Sequence, residues 1–237
     1  MATAAAPLDL EALRRQVDIR HRGLAGAPAP LLPVGVAEID RQLGGGLARH
    51  GLHEAAGPGA VAFAALLAGR IGGQIIWIRT SGQVAQIDPY ALAPLGLAAE
   101  KLLLADAPRQ ETAWAFEQAL RSGAASVVIA ETAAAPDFTA SRRLHLAARE
   151  NGVLGLLLPA PPLAAGRLPA SAAETRWRIA PAPAPDADPW AASALRLDLL
   201  KNKKGPLGHW TVDWDSAAGR FRLSGHPPGR LIRSSSA

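Results

Sequence analysis

The chain contains no cysteine. Disulfides, thiolate zinc sites and cysteine nucleophiles are therefore excluded, and the composition fits a cytoplasmic setting. Aromatic residues are scarce at 5%, with a single tyrosine among 237 positions. Hydrophobic residues still make up 49%, and alanine dominates them. Small side chains suit helices packed closely on a sheet better than an aromatic-rich sandwich. No apolar run approaches the roughly 18 residues of a spanning helix, so no membrane association is expected. Asp9, Glu11, Arg14 and Arg15 interrupt the first segment in an amphipathic pattern, unlike a secretory leader. The six histidines show no short spacing to one another or to carboxylates. No metal site, no cofactor and no Ser/His/Asp arrangement is expected.

Acidic residues are sparse at one end. From residue 201 onward the cations are Lys201, Lys203, Lys204, Arg220, Arg222, Arg230 and Arg233, opposed only by Asp213 and Asp215. With a net charge of +5, anionic partners are favoured, either DNA or an acidic protein surface. Three ammonium groups within four positions repel one another unless they are solvated or face an anion. Strand alternation predicts that Lys201 and Lys203 share one face.

The apolar periodicity predicts an α/β fold. Leu8 to Ile19 reads as an amphipathic helix, followed by a Pro/Gly/Ala linker, so residues 1–33 form an N-terminal arm. Strands are predicted at 51–55, 74–79, 101–104, 126–130 and 153–158, and helices at 37–43, 60–71, 88–95, 110–122 and 137–151. Short apolar strands separated by helices imply a mostly parallel sheet covered by helices on both faces. Residues 159–189 are rich in Pro and Ala and read as a mobile excursion within a core spanning 34–224, with one possible strand at 176–180. Residues 194–201, 209–215 and 221–223 extend the sheet as strands. Residues 225–237 read as a disordered basic tail.

The strand 51–55 runs into Gly57-Pro58-Gly59 and then a helix of small residues. This is the layout of a phosphate-binding loop, G-x-x-x-x-G-K-[ST]. Counted from Gly57, the lysine position is Phe63 and the hydroxyl position is Ala64. Neither side chain can hold a phosphate or Mg²⁺. Gly57, Pro58 and Gly59 offer either a residual anion cradle of backbone amides or simply a strand-to-helix turn that needs glycine.

Several segments resemble the RecA superfamily, in that superfamily's order. They are Val34-Gly35-Val36-Ala37-Glu38-Ile39-Asp40 with Leu43-Gly44-Gly45-Gly46-Leu47, then Gly51 to Glu54, Asp88-Pro89-Tyr90-Ala91, Val127-Val128-Ile129-Ala130-Glu131 and Leu199-Leu200-Lys201-Asn202-Lys203. Within that superfamily the segment from Leu200 to Trp214 is similar to the C-terminal part of the ImuA family. The resemblance implies a RecA-like core. It also implies a damage-induced role in translesion DNA synthesis, beside ImuB, a polymerase relative without catalysis, and an error-prone C-family polymerase. RecA, an ImuB-like protein and DNA are the partners it suggests, in a cytoplasmic, nucleoid-associated setting.

The same resemblance assigns further positions. Tyr90 stands where an aromatic could stack on adenine, or only pack. Glu131 stands at the end of a Walker B strand, as a catalyst or an inherited acid. Ser81 replaces the glutamate that follows the second strand in the ATPase members. With Phe63, Ala64 and Ser81 at the chemical positions, no ATPase activity is expected. Two other functions compete with an adaptor: a cell-division inhibitor of the SOS response, and a DNA-dependent ATPase with a non-standard loop.

Overall fold

The computed structural model describes residues 30–82, 87–160, 169–182, 194–215 and 220–224. The predicted helix at 8–19, most of the linker, and the tail with Arg230 and Arg233 lie outside the described residues.

The core is entered through a two-stranded antiparallel ribbon, β1 (Leu31–Leu32) and β2 (Leu47–Ala48), which encloses helix α1 (Ala37–Gln42). Asp40 holds this turn. Its carboxylate accepts from the backbone N–H of Val34 at 2.6 Å and of Gly35 at 3.0 Å. Then follow β3 (Gly51–Ala56), α2 (Ala60–Ile71), β4 (Ile75–Thr80) and the short α3 (Pro89–Leu92). The chain continues through β5 (Leu102–Ala107), α4 (Thr112–Ser122), β6 (Val127–Thr132), α5 (Phe138–Glu150) and β7 (Leu154–Pro159). It ends with β8 (Thr175–Ala182), β9 (Ala194–Asn202), β10 (Gly208–Asp215) and β11 (Arg220–Leu223). The sequence periodicity places each of the strands from β3 to β7, and helices α1, α2, α4 and α5, to within two residues.

Nine strands form one sheet in the order β11-β10-β9-β8-β3-β7-β6-β4-β5. The strands from β8 to β5 pair in parallel, whereas β9, β10 and β11 are added antiparallel. Parallel neighbours need a crossover, and here the crossovers carry the helices that cover the sheet. On one face α2 and α1 bury Trp77, Ile129, Leu156, Trp177 and Leu197. On the other, α4 and α5 bury Leu52, Ile78, Val128 and Leu157.

Two expectations need correction. The stretch 159–189 is not an excursion from the core over its described part. Ala172 and Ala173 are buried, and β8 pairs directly with β3 near the middle of the sheet. Proline and alanine content misleads here because Pro181 lies at the strand end while Trp177 and Ile179 carry the apolar burial. The expectation of helices on both faces holds only for the parallel half. Helices α4 and α5 pack on β3, β4, β6 and β7, and the same face of the antiparallel half is lined by polar side chains. Between Arg176 and Trp177 the pairing of β8 with β9 carries a bulge, so Trp177 faces Leu199 but Arg176 faces Lys201.

Candidate functional site

Only Gly57, Pro58 and Gly59 separate β3 from α2, and the helix begins at Ala60. An eight-residue phosphate loop does not fit in that space. The turn is instead pressed against β8. Gly57 has φ +108°, and a Cβ added there would stand 2.3 Å from the Ile179 carbonyl oxygen. The Gly59 N–H donates to that same oxygen at 3.2 Å, and the Ala60 N–H donates to Gly57 O at 3.0 Å. Amides that would otherwise face an anion at a helix start are therefore used inside the fold. The glycines serve the turn and its close approach to β8.

Phe63 and Ala64 lie one turn into α2, at 1% and 0% exposure. The Phe63 ring packs on Trp177, with centroids 5.5 Å apart. Neither residue points toward the hollow at the strand ends. That hollow, about 240 Å³, is lined by Gly57, Pro58, Ala60, Val61, Glu131 and Pro159 among others. Glu131 is its one acidic side chain. Its Oε1 accepts from Trp77 Nε1 at 2.8 Å. Burial pushes the Glu131 carboxyl above its ordinary value, against the opposing pull of the Trp77 hydrogen bond and the Arg79 charge.

Ser81 and Tyr90 do not line this hollow. Ser81 follows β4 and its N–H donates to Ala107 O at 2.8 Å. Tyr90 is 80% exposed on α3, so it neither packs nor joins the site. Among the described residues no group of three or more His, Asp or Glu side chains could hold a metal ion.

The basic segment is also dispersed rather than gathered. Lys201 is half-buried and its Nζ donates to the Ser171 carbonyl. Burial, followed by the nearby Lys203 charge, lowers its pKa, while Glu54 opposes the shift. Lys203 pairs with Glu174 at 3.2 Å, and Glu174 also pairs with His145 at 3.3 Å. Lys201 and Lys203 thus have partners within the chain, contrary to the reading of a free cationic strand face. Lys204 is exposed in the hairpin between β9 and β10. Arg220 and Arg222 lie on the edge strand β11, opposite Asp215 and Asp213.

Sequence reading missed a buried ionic network beneath this segment. Glu54 and Arg176 meet at 2.5 Å, with side chains 2% and 3% exposed. Ser171 Oγ donates to Glu54, and Arg176 Nη1 donates to Pro169 O at 2.6 Å. The available signal was a glutamate inside an otherwise apolar strand, together with the alternation Arg176-Trp177-Arg178. Beside it His53 is fully satisfied: Trp177 Nε1–H donates to Thr175 Oγ1, whose hydroxyl reaches His53 Nδ1, and His53 Nε2 reaches the Ala48 carbonyl.

Taken together, a largely parallel sheet with an antiparallel extension and a helix after the first core strand define a RecA-like α/β protein. The RadB recombinase has the same fold, with a TM-score of 0.60 and 14% identity over 81% of this chain and 99% of that one. Protein ImuA of Caulobacter vibrioides strain NA1000 / CB15N is 34% identical over 228 residues, covering 86% of this chain and 90% of the relative. The same protein from C. vibrioides strain ATCC 19089 / CIP 103742 / CB 15 matches equally. The chain belongs to the ImuA family. No family model matches it. Among the described residues no helix is long and apolar enough to cross a membrane.

Proposed function

We propose that this protein is a non-catalytic RecA-like adaptor in damage-induced translesion DNA synthesis. In this reading it assembles an ImuB-like polymerase relative, and RecA, with an error-prone polymerase. Family membership supports the mutagenesis-cassette setting. The observation that carries the non-catalytic part is the three-residue turn at Gly57-Pro58-Gly59, closed against Ile179 O.

Phosphoryl transfer depends on donors and a metal that position and neutralise the γ-phosphate. Here the residues counted as lysine and hydroxyl positions are core side chains, and the turn amides have internal partners. A scaffold role needs surface and stability rather than a nucleotide cradle. Lys204, Arg220 and Arg222 remain exposed for partner or DNA contact.

The test has two arms. ATP turnover with Mg²⁺, with and without single-stranded DNA, is expected to match the no-protein background. Turnover abolished by Glu131→Gln would overturn the non-catalytic reading. Co-purification with the ImuB-like protein and with RecA is expected. Binding to a tubulin-like division protein with neither of these would favour the cell-division alternative instead.

A further inference from the structure

On the face of the antiparallel extension opposite Trp177, a hollow of about 330 Å³ is lined by Arg178, Arg196, Asp198, Leu200, Leu207 and His209 among others. Its charges are uneven. Arg196 Nε pairs with Asp198 Oδ1 at 2.9 Å, so those two largely neutralise each other. Arg178 is in surplus: its Nε is buried and has no hydrogen-bond partner. Two residues along the same strand face, Arg176 Nη2 is likewise buried without one. A buried guanidinium donor left unmade is unfavourable, and a carboxylate is its best geometric match.

The other half of the hollow is apolar and fixed. Leu207 is 59% exposed at the tip of the β9–β10 hairpin. Gln42 Nε2 donates to the Leu207 carbonyl at 2.6 Å, and Asn202 Nδ2 donates to Pro206 O at 3.3 Å. At Gly208 a Cβ would stand 2.4 Å from the Trp210 ring and 2.6 Å from Gln42 Nε2. The hairpin is therefore seated closely on α1, and Leu207 is held out in a preset position. An exposed leucine on a pinned turn costs little ordering when it binds.

We propose that this hollow binds an extended protein segment in which a carboxylate side chain meets Arg178 and a neighbouring bulky apolar side chain packs on Leu207. The occupant is a peptide rather than nucleic acid because acids interleave with bases across this face. Asp198 lies in the hollow, and Asp213 and Asp215 stand opposite Arg222 and Arg220. A phosphate chain needs a continuous positive track, whereas one carboxylate needs one cation. This deepens the adaptor reading by giving it a contact surface, and it rests on that reading only for the identity of the partner.

The probe is an array of short synthetic peptides on an alanine-serine background, each with one Asp or Glu and one Leu or Phe at varied spacing. Oligothymidylate is measured in parallel by fluorescence anisotropy. Peptides carrying both residues should bind, and single-residue controls should not. Leu207→Ser and Arg178→Gln should each weaken binding at least about tenfold, or about 1.4 kcal/mol, while Arg222→Gln leaves it unchanged. Leu207 is exposed, so its variant stays folded even if Arg178→Gln does not. Absence of any two-residue binder, binding indifferent to Leu207→Ser, or Arg178-dependent preference for oligothymidylate would each overturn the inference. Because no polymerase relative is used, peptide binding that persists while co-purification fails separates this surface from the adaptor role.

Discussion

The ring of Phe63 lies 5.5 Å from that of Trp177, tilted by 46°, with both side chains at 1% exposure. The contact ties the helix after β3 to the strand that begins the antiparallel extension. Truncating a buried phenylalanine costs about 3–5 kcal/mol. Phe63→Ala is expected to lose that much in urea unfolding. Phe63→Lys should be at least as damaging, because it places an ammonium without a partner against Trp177. A Phe63→Lys protein with the parental unfolding midpoint would show that this helix does not pack as described.

His53 supplies a pH dependence. Burial lowers its pKa to about 4 from an ordinary 6.5. In the unfolded chain the imidazole protonates first, so the unfolded state binds more protons between these values. Stability contributed by neutral His53 is therefore complete above about pH 6.5 and is lost as pH falls toward 4, a difference of about 3 kcal/mol. His53→Gln is expected to flatten this part of the stability profile. Denaturation curves at several pH values, with parent and variant compared, give the measurement. Parallel profiles for the two proteins would contradict it.

Glu131 acts in the opposite sense. Its carboxyl is raised above the ordinary value, with burial the largest cause. The folded state then holds the proton longer than the unfolded state, so this group destabilises as pH rises through the raised value. Glu131→Gln retains an acceptor for Trp77 Nε1 without the charge. It should raise the melting temperature at neutral pH and have little effect near pH 4. A variant that melts lower at neutral pH would instead mean that the ionised form is held by a favourable partner.

Glu54 and Arg176 form a buried pair whose halves depend on each other. Removing one partner leaves a charge without compensation, at a cost of about 3–5 kcal/mol. Glu54→Leu is expected to show this loss. Adding Arg176→Met should recover much of it, since a well-packed apolar pair can match a buried ion pair. A strictly additive double variant would mean that the two side chains are not energetically coupled.

Much of this architecture is legible in the sequence, for identifiable reasons. Fully buried parallel strands such as Val127–Thr132 appear as unbroken apolar runs. Amphipathic α4 and α5 repeat their buried residues at helical spacing, as with Phe116 and Leu120. The antiparallel strands betray themselves by alternation, as in Trp210, Val212 and Trp214. What is not legible depends on distant partners. Nothing local in β8 reveals that Thr175–Ala182 pairs with β3, or that Arg176 meets a glutamate more than a hundred residues away. Counting from Gly57 identifies the missing lysine and hydroxyl, but not that the helix begins at Ala60 and turns those positions into the core. The basic residues are likewise visible as a list, while their separation into paired Lys201 and Lys203 and exposed Lys204 is set by folding.

The irregularity between β8 and β9 has a consequence for how this segment can change. Strict alternation would place Leu200 across from Arg176. The additional residue shifts the frame, so Lys201 takes that place while Trp177 keeps Leu199. One residue thus lets a single strand serve both an oily side, ending at Leu199, and an ionic side, ending at Lys201. Substitutions within either side leave that division intact. Loss of a single residue here would transpose everything beyond it, putting an ammonium where the tryptophans pack and a leucine among the arginines. For this strand, length is therefore more tightly constrained than side-chain identity.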